Sequence, residues 1–361
     1  MSVLETASLA RPKRKVNYGL MVRIIIGLLV TAIVLYRFYN VIAVKQVYGA
    51  DTWVRLAISG LVIGSVYAVI ALGYTLVYGI LFMINFAHGD VMMLGAFAGY
   101  FTLEALSTDG FSNRQPLLAV VITFVAGMLV SMLVGIALER IAYRPLRNAP
   151  RLVPLISAIG ASLFLQNVAQ LMFGSQKRPY HNPDVISQGM GWNITVAGQP
   201  VTVTYTGVLM FVTSLVLMIG LYILVQRTKL GRAMRAVAED KATASLMGIN
   251  VDRVIVSTFA ISGVLAGAAG VMWGLHTPAI YHYTGFLPGI KAFTAAVLGG
   301  IGNVSGAMLG GIFLGVAESL APAVLDIPFQ LKDVLAFTIL VLVLIFRPTG
   351  LLGEVLSEKK I

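Results

Sequence analysis

The sequence lacks cysteine and has few charged residues, and these two features exclude several classes of protein. Without cysteine there is no disulfide framework, no thiolate nucleophile and no cysteine metal site. Only 11% of the 361 residues are charged, whereas a soluble domain carries about a quarter. A soluble enzyme or a nucleic-acid-binding protein is therefore excluded, although the net charge is +11.

The sequence also lacks the motifs by which many enzymes bind nucleotides, metals or acyl groups. The dipeptide Gly-Lys does not occur, so there is no phosphate loop of the P-loop type. There is no His-Glu-x-x-His motif and no Gly-x-Ser-x-Gly nucleophile elbow, and the four histidines are dispersed. We therefore expect no enzyme activity and no bound cofactor or metal in this chain, and the sequence favours transport over catalysis.

Long apolar runs dominate the chain: 58% of the residues are hydrophobic and the mean hydropathy is +0.88. A transmembrane helix needs about 20 predominantly apolar residues. We expect spans near 24–44, 56–80, 91–106, 117–138, 153–173, 207–225, 254–275, 304–322 and 333–346. A shorter apolar stretch, 291–301, ends in glycines and is interpreted as a half-helix. The predicted fold is an all-α polytopic integral membrane protein with eight or nine transmembrane helices plus this broken half-helix.

Basic residues predict the orientation of the spans. Eighteen of the 26 lysines and arginines lie in the N-terminal tail, the loops 139–152 and 226–253, and the C-terminal tail. The positive-inside rule places all four segments, and with them both termini, in the cytoplasm. The basic charge then indicates contact with anionic membrane lipid and not with nucleic acid. A basic region precedes the first apolar span, as in a signal peptide. No convincing small-x-small cleavage site follows the span, however, which favours a retained helix.

Polar side chains interrupt the apolar pattern within residues 83–95, where almost no loop separates two spans. They are Asn85, His88 and Asp90, with Gly89 among them. One interpretation is a tight cytoplasmic turn in which Asp90 caps the following helix and favours its positive end. The other is an element that lines or gates a translocation pathway, because a broken helix at membrane depth needs protein or water as its partner.

Residues 285–303 form a second predicted break. Pro288 interrupts regular helix on the exterior side, and Gly299 and Gly300 interrupt it again within the membrane, shortly before Asn303. Transporters often bind substrate at discontinuous helices, whose free backbone ends suit a zwitterion. The alternatives are a kink required by packing and a translocation element that includes these four residues.

The exterior loop 174–206 is the longest on its side of the membrane. It contains two short alternating runs on either side of residues 197–200, and this pattern predicts a β-hairpin. The hairpin would rest on the membrane surface or contact a solute-binding protein.

The cytoplasmic loop 226–253 predicts a short capped helix. Asp240 can accept hydrogen bonds from the first turn of a helix over 241–247, and Gly248 suits the left-handed residue that ends it. The loop is either a solvated connection between two spans or a compact knob that receives force from a separate ATPase.

Four groups of residues resemble motifs of the LivH-type permeases of bacterial branched-chain amino acid ABC importers. They occupy 64–79 running into 84–90, 231–240 with 248–250, 296–303, and 347–353. The resemblance implies the ABC importer permease fold for a domain over residues 51–353. Residues 1–50 would add a basic tail and an anchor helix, and residues 354–361 would form a cytoplasmic tail.

The resemblance implies a bacterial plasma-membrane protein that imports branched-chain amino acids by alternating access. Its partners would be two ATP-binding subunits, which use the ATP, a sister permease subunit and a periplasmic or extracellular solute-binding protein. The resemblance also places the coupling helix in 226–253, oriented by Glu239, Asp240 and Lys241. The implied docking surface comprises Ala242, Ala244, Leu246 and Met247, with Gly248 at its end.

Two other functions stay open at this point. A similar permease would import urea or short-chain amides, although Phe86 in Asn-Phe-Ala-His-Gly favours amino acids. An ion-coupled secondary transporter would need a proton-titrating acid deep in a span, for which Glu318 and Glu104 are the nearest candidates.

Overall fold

The computed structural model describes residues 18–41, 48–147, 149–150, 152–187, 189–347 and 349–353. The basic N-terminal tail up to residue 17 and the predicted C-terminal tail 354–361 lie outside the described residues. The described helices are α1 Tyr18–Tyr39, α2 Ala50–Leu81, α3 His88–Thr108, α4 Phe111–Arg114, α5 Pro116–Leu138, α6 Leu152–Phe173, α7 Tyr205–Arg227, α8 Lys229–Glu239, α9 Lys241–Leu246, α10 Val251–His276, α11 Phe286–Gly299, α12 Val304–Leu325 and α13 Lys332–Phe346.

The described residues contain eight helical segments that are long and apolar enough to cross a membrane: α2, α3, α5, α6, α7, α10, α12, and α13 together with the 3-10 turn before it, Phe329–Phe346. The all-α polytopic fold is therefore confirmed. A further apolar helix, α1, ends at Tyr39 and packs against α12. It lies closer to the N-terminus than the predicted span 24–44.

The centre of the bundle is formed by helices that pack through glycine and alanine. A Cβ on Gly315 of α12 would overlap the Gly64 backbone of α2, and one on Gly267 of α10 would overlap Gly127 of α5. In lipid, such close backbone approach supplies the dispersion contacts that hold helices together. The outward faces of α5, α6 and α7 carry large apolar side chains, which suit contact with lipid tails.

The predicted hairpin is present as strands β2 Gly191–Val196 and β3 Gln199–Thr204, which pair antiparallel. Its two-residue turn has positive φ at both Ala197 and Gly198, as a type I′ turn requires. A second pair, β1 Arg178–Pro179 with β4 Ala279–Ile280, ties the segment after α6 to the segment after α10.

The connection between α2 and α3 lies inside the bundle. The helix α2 ends at Leu81, because Phe82 adopts the left-handed conformation with φ 55°. The next helix begins at His88, whose ring contacts the Gly73 turn of α2. Gly73 lies eight residues before the end of α2, so residues 82–87 run back along about 12 Å of that helix.

The half-helix α11 is longer than predicted and begins at Phe286. The predicted interruption at Pro288 is wrong: this proline lies in the first turn of α11, where a missing N–H costs no helical hydrogen bond. With 14 residues α11 spans about 21 Å, short of the about 30 Å of bilayer hydrocarbon. The predicted break at its end is confirmed, since Gly300 has φ 105° and Gly302 has φ 96°.

Candidate functional site

A groove of about 210 Å³ opens between α6 and α11, beside the first turn of α3. Its walls come from α2, the 82–87 connection, α3, α6 and α11. The lining residues are Tyr74, Phe86, Gly89, Asp90, Ile159, Ser162, Leu163, Gln166, Phe286, Gly289 and Ile290. Two of the residues that were predicted from the sequence to line the translocation pathway, Gly89 and Asp90, line this groove.

The polar end of the groove is built around the Asp90 carboxylate, which is 1% exposed. Ser162 Oγ donates to Asp90 Oδ2 at 2.5 Å, and Gln166 Nε2 donates to Oδ1 at 2.9 Å. Ser162 and Gln166 are four residues apart on α6 and therefore share one face of that helix. Neither residue was predicted from the sequence, because a Ser and a Gln four positions apart in an apolar span give no distinctive signal.

The predicted helix cap by Asp90 is wrong. The residue that precedes α3 is Ala87, which makes no side-chain cap. Asp90 is the third residue of the helix and so lies in its first turn, at the positive end of the helix as predicted. Its carboxylate turns away from its own backbone toward the donors of α6. Asp90 therefore faces the groove.

Gly89 allows α3 and α11 to meet at the edge of the groove. A Cβ on Gly89 would lie 2.5 Å from the Gly285 carbonyl oxygen and 3.2 Å from Gly289 Cα. His88 points to the opposite side, where its Nδ1 lies 3.3 Å from Ser262 Oγ of α10. Its ring packs edge-on against Tyr74, with 4.7 Å between the centroids.

Asn85 connects this segment to a π-helical turn, Glu139–Tyr143, that follows α5. The Tyr143 hydroxyl donates to Asn85 Oδ1 at 2.9 Å, and both side chains are buried. The Tyr143 ring packs on Phe259 of α10 with 5.2 Å between the centroids. Tyr143 was not predicted as a functional residue, because an aromatic residue beside arginines is common at the end of a span.

An ion-pair cluster fastens the same turn to the start of α10. Arg147 Nη1 lies 2.5 Å from Asp252 Oδ1, and Arg144 Nη2 lies 2.8 Å from Asp252 Oδ2. Arg147 also pairs with the buried Glu139 carboxylate. The turn that holds Asn85 is thus bound to α10 by both packing and charge.

The second predicted break is closed by the segment that follows α13. Leu351 N donates to Leu298 O at 2.7 Å, and Leu352 N donates to Gly299 O at 2.9 Å. Asn303 caps α12 through Gly306 N and donates from Nδ2 to Leu352 O at 2.8 Å. Gly299, Gly300 and Asn303 therefore lie in a structural joint, and neither they nor Pro288 line the groove.

A buried ion pair joins α11 to α12 and α13. Lys291 Nζ lies 2.7 Å from Glu318 Oε1 and 2.5 Å from Asp333 Oδ1, and Lys291 and Glu318 are each 4% exposed. Glu318, considered above as a proton-titrating acid, thus has a cationic partner. Glu104, the other candidate, is half exposed and lies 3.9 Å from His181 Nδ1.

The capped helix expected in the loop 226–253 is present as α9. Asp240 Oδ1 accepts from Ala242 N at 2.8 Å and from Thr243 N at 3.1 Å, and Oδ2 accepts from Thr243 Oγ1 at 2.7 Å. These hydrogen bonds, that from the Thr243 hydroxyl foremost, lower the pKa of Asp240 below its usual value. Gly248 follows with φ 83°, as predicted.

One residue of the predicted docking surface faces the protein itself. Ala244 is 4% exposed and belongs to a cluster with Met234 and Val237 of α8 and Val254 of α10. Its assignment as a docking contact is therefore wrong, because this side of α9 seats the helix on its neighbours. The opposite side is open, with Leu246 87% and Met247 79% exposed, and Glu239, Lys241 and Ala242 are also exposed.

Comparison with known proteins gives a consistent assignment. Residues 56–344 match the family model for the permease component of branched-chain amino acid transport systems. The chain is 45% identical over 307 residues to the high-affinity branched-chain amino acid transport system permease protein BraD of Pseudomonas aeruginosa, covering 85% of this chain and 98% of BraD. No solved structure matches the chain.

Two further relatives show how far the similarity extends. The high-affinity branched-chain amino acid transport system permease protein LivH of Escherichia coli is 44% identical over 305 residues, which cover 83% of this chain and 96% of LivH. A probable branched-chain amino acid transport permease protein LivH of Methanocaldococcus jannaschii is 30% identical over 320 residues, 84% of this chain and 94% of its own length. The chain therefore belongs to the family of permease components of branched-chain amino acid transport systems.

Proposed function

We propose that this chain is the membrane-spanning subunit of an ABC importer that carries branched-chain amino acids into the cytoplasm by alternating access. The substrate class is supported by the names of the relatives, which are permeases of branched-chain amino acid systems. Two separate subunits bind and hydrolyse ATP, a sister permease completes the membrane part, and a solute-binding protein delivers the substrate. This chain supplies the pathway and performs no catalysis.

The exposed tip of α9 carries this proposal. Asp240 fixes the first turn, and Ala244 seats the helix on α8 and α10, so that Leu246 and Met247 project from a firmly held element. Apolar side chains of this kind become binding anchors when a partner offers them a pocket. An ATP-binding subunit that binds the tip of α9 would move α10 together with α9, because the two helices are in contact.

The membrane orientation belongs to the same proposal. Basic residues are concentrated in the loops that contain Arg147 and α8, and these loops lie on the same side of the bundle as α9. The positive-inside rule assigns that side to the cytoplasm, together with both termini.

A pair of matched substitutions tests the coupling. Met247→Asp places a charge on the tip of α9, whereas Met190→Asp makes the same change in the exposed loop before β2. With the ATP-binding subunits coexpressed, we expect Met247→Asp to weaken their copurification about thirtyfold and to abolish ATP-driven leucine uptake. Met190→Asp should retain the ATP-binding subunits.

The alternative function as an ion-coupled carrier gives the opposite result. Such a carrier draws energy from the ion gradient, so Met247→Asp and depletion of ATP would leave its uptake unchanged. Uptake of leucine that survives both treatments would contradict the ABC proposal. Uptake of urea or an amide in place of leucine would contradict the substrate assignment alone.

A further inference from the structure

Three carboxylates are buried in the described part of the chain, and one of them has no cation beside it. Glu139 pairs with Arg147, and Glu318 pairs with Lys291. Asp90 forms no ion pair with any described residue, and its hydrogen bonds come from neutral groups. A buried carboxylate is costly unless a positive charge compensates it, and within a membrane protein an ionisable side chain of this kind points to function.

A purely structural link between α3 and α6 does not require this charge. Ser162 and Gln166 would hydrogen-bond equally well to an asparagine at position 90, because the Gln166 amide can reverse its donor and acceptor. An asparagine would avoid most of the cost of burying a carboxylate. The positive end of α3 favours a negative charge at Asp90, which lies in its first turn, but the hydrogen bonds that fasten α3 to α6 do not require that charge.

The groove around Asp90 matches an amphipathic ligand, because it has a charged end and an apolar part. One end carries Asp90, and the walls beyond it are apolar, formed by Phe86, Leu163, Phe286 and Ile290. A cation attached to a branched aliphatic group would satisfy both parts, since the ammonium group would compensate the carboxylate and the hydrocarbon would fill the apolar part. A simple inorganic cation would leave the apolar walls empty.

We propose that the Asp90 carboxylate, held in place by Ser162 and Gln166, binds the α-ammonium group of the amino acid in transit, while the branched side chain lies against Leu163 and Ile290. This inference rests on the proposed function and names the residue that recognises the substrate within the pathway. Leu163 and Phe286 are 52% and 39% exposed, so the groove opens to the surface of this chain. The sister permease is the partner that would close it.

The substitution Asp90→Asn tests the charge and preserves the size of the side chain. In proteoliposomes that contain the intact transporter with its ATP-binding subunits and solute-binding protein, we expect leucine uptake to fall about tenfold or more. The complex should still assemble, as measured by copurification of the ATP-binding subunits. The matched control is Asp109→Asn, the same change at an exposed position after α3, which should transport normally.

A competition experiment separates ammonium recognition from a structural role of Asp90. The probe 3-methylbutylamine carries an ammonium group and a branched chain but no carboxylate, whereas 4-methylpentanoate lacks the ammonium group. We expect the amine to inhibit leucine uptake by the natural protein and to lose this effect in Asp90→Asn. Equal inhibition of both proteins by the amine would overturn the inference.

A second variant covers the case in which Asp90→Asn fails to assemble. Leu163→Trp fills the groove from its exposed edge, and Leu171→Trp is the control on the same helix, where the side chain is 86% exposed and outside the groove. Leucine uptake should fall at least severalfold in Leu163→Trp and stay unchanged in Leu171→Trp. Normal uptake in Asp90→Asn would overturn the inference. If Asp90→Asn does not assemble, normal uptake in Leu163→Trp would overturn it. Either result would leave ATP-driven transport intact. Absence of ATP-driven uptake in the natural protein would instead refute the proposed function.

Discussion

The two broken elements of this protein look alike in sequence but differ in what their polar groups contact. At the α2–α3 break, Asp90 turns its carboxylate into a groove and finds no cation among the described residues. At the α11–α12 break, Leu298 and Gly299 receive hydrogen bonds from the segment after α13, and Asn303 bonds to the same segment. At the first break a carboxylate has no cationic partner among the described residues, whereas the second break is completed by the chain itself.

This difference shows that a helix break at membrane depth is not by itself a binding site. Backbone groups freed by a break must be satisfied inside the membrane, and a neighbouring segment of the same chain can do so fully. A better indication of a binding site is a buried charged side chain that has no partner of opposite charge. By that criterion the first break is the candidate for the pathway proposed above, and the second is a structural joint.

The largest effect is expected from Gly89→Val at the first break. A Cβ at this position approaches the Gly285 carbonyl oxygen to 2.5 Å, so valine would push α11 away from α3, at a cost of about 3 kcal/mol or more. Leucine uptake should be abolished, as measured in cells that contain normal amounts of the inserted protein.

The control for Gly89→Val is Gly160→Val on α6, because nothing lies within 4 Å of a Cβ at Gly160. This variant should transport at the natural rate. Equal uptake by the two variants would show that the contact between α3 and α11 has no part in transport.

An intermediate effect, on stability and not on the mechanism of transport, is expected from Gly300→Ala at the second break. Gly300 has φ 105°, and an added Cβ would overlap the Gly353 backbone, so the joint with the C-terminal segment would open. The strained backbone alone costs about 1–3 kcal/mol. The thermal midpoint of the purified complex should fall, while uptake per folded molecule stays near its natural value.

Gly248→Ala is the control for backbone strain, since Gly248 has φ 83° but nothing within 4 Å of the added Cβ. Its smaller loss of stability should isolate the contribution of the contact with Gly353. A selective loss of uptake per folded molecule in Gly300→Ala would assign the second break to the pathway after all.

The sequence predicted the helices well because their apolar runs are long and their ends are marked by glycine, proline or charge. The eight spans, the half-helix, the hairpin and the capped α9 all follow from such local patterns. The sequence also indicated Asp90, and with it the adjacent Gly89, because ionisable residues at membrane depth are rare.

What the sequence could not supply is the partner of each residue. Asp90 was expected to cap its own helix, and only the packing of α6 shows Ser162 and Gln166 beside it. Ala244 was expected on the surface, but a small side chain is equally suited to close packing against α8 and α10, which is where it lies. The ion pair between Lys291 and Glu318 joins residues 27 positions apart, a distance at which no local pattern operates.

The smallest of the expected effects concerns the link between the first break and the turn that follows α5. Tyr143→Phe removes the hydroxyl that donates to Asn85 Oδ1 and leaves this buried oxygen without its partner, at a cost of about 1–3 kcal/mol. If the link helps to transmit movement of α10 to the pathway, leucine uptake per ATP hydrolysed should fall severalfold while the complex still assembles. Tyr180→Phe is the matched control, because the buried Tyr180 hydroxyl has no hydrogen-bond partner among the described residues. The same ratio of uptake to hydrolysis in both variants would show that the hydrogen bond only stabilises the turn, and the first break would then sense the ATP-binding subunits by another route.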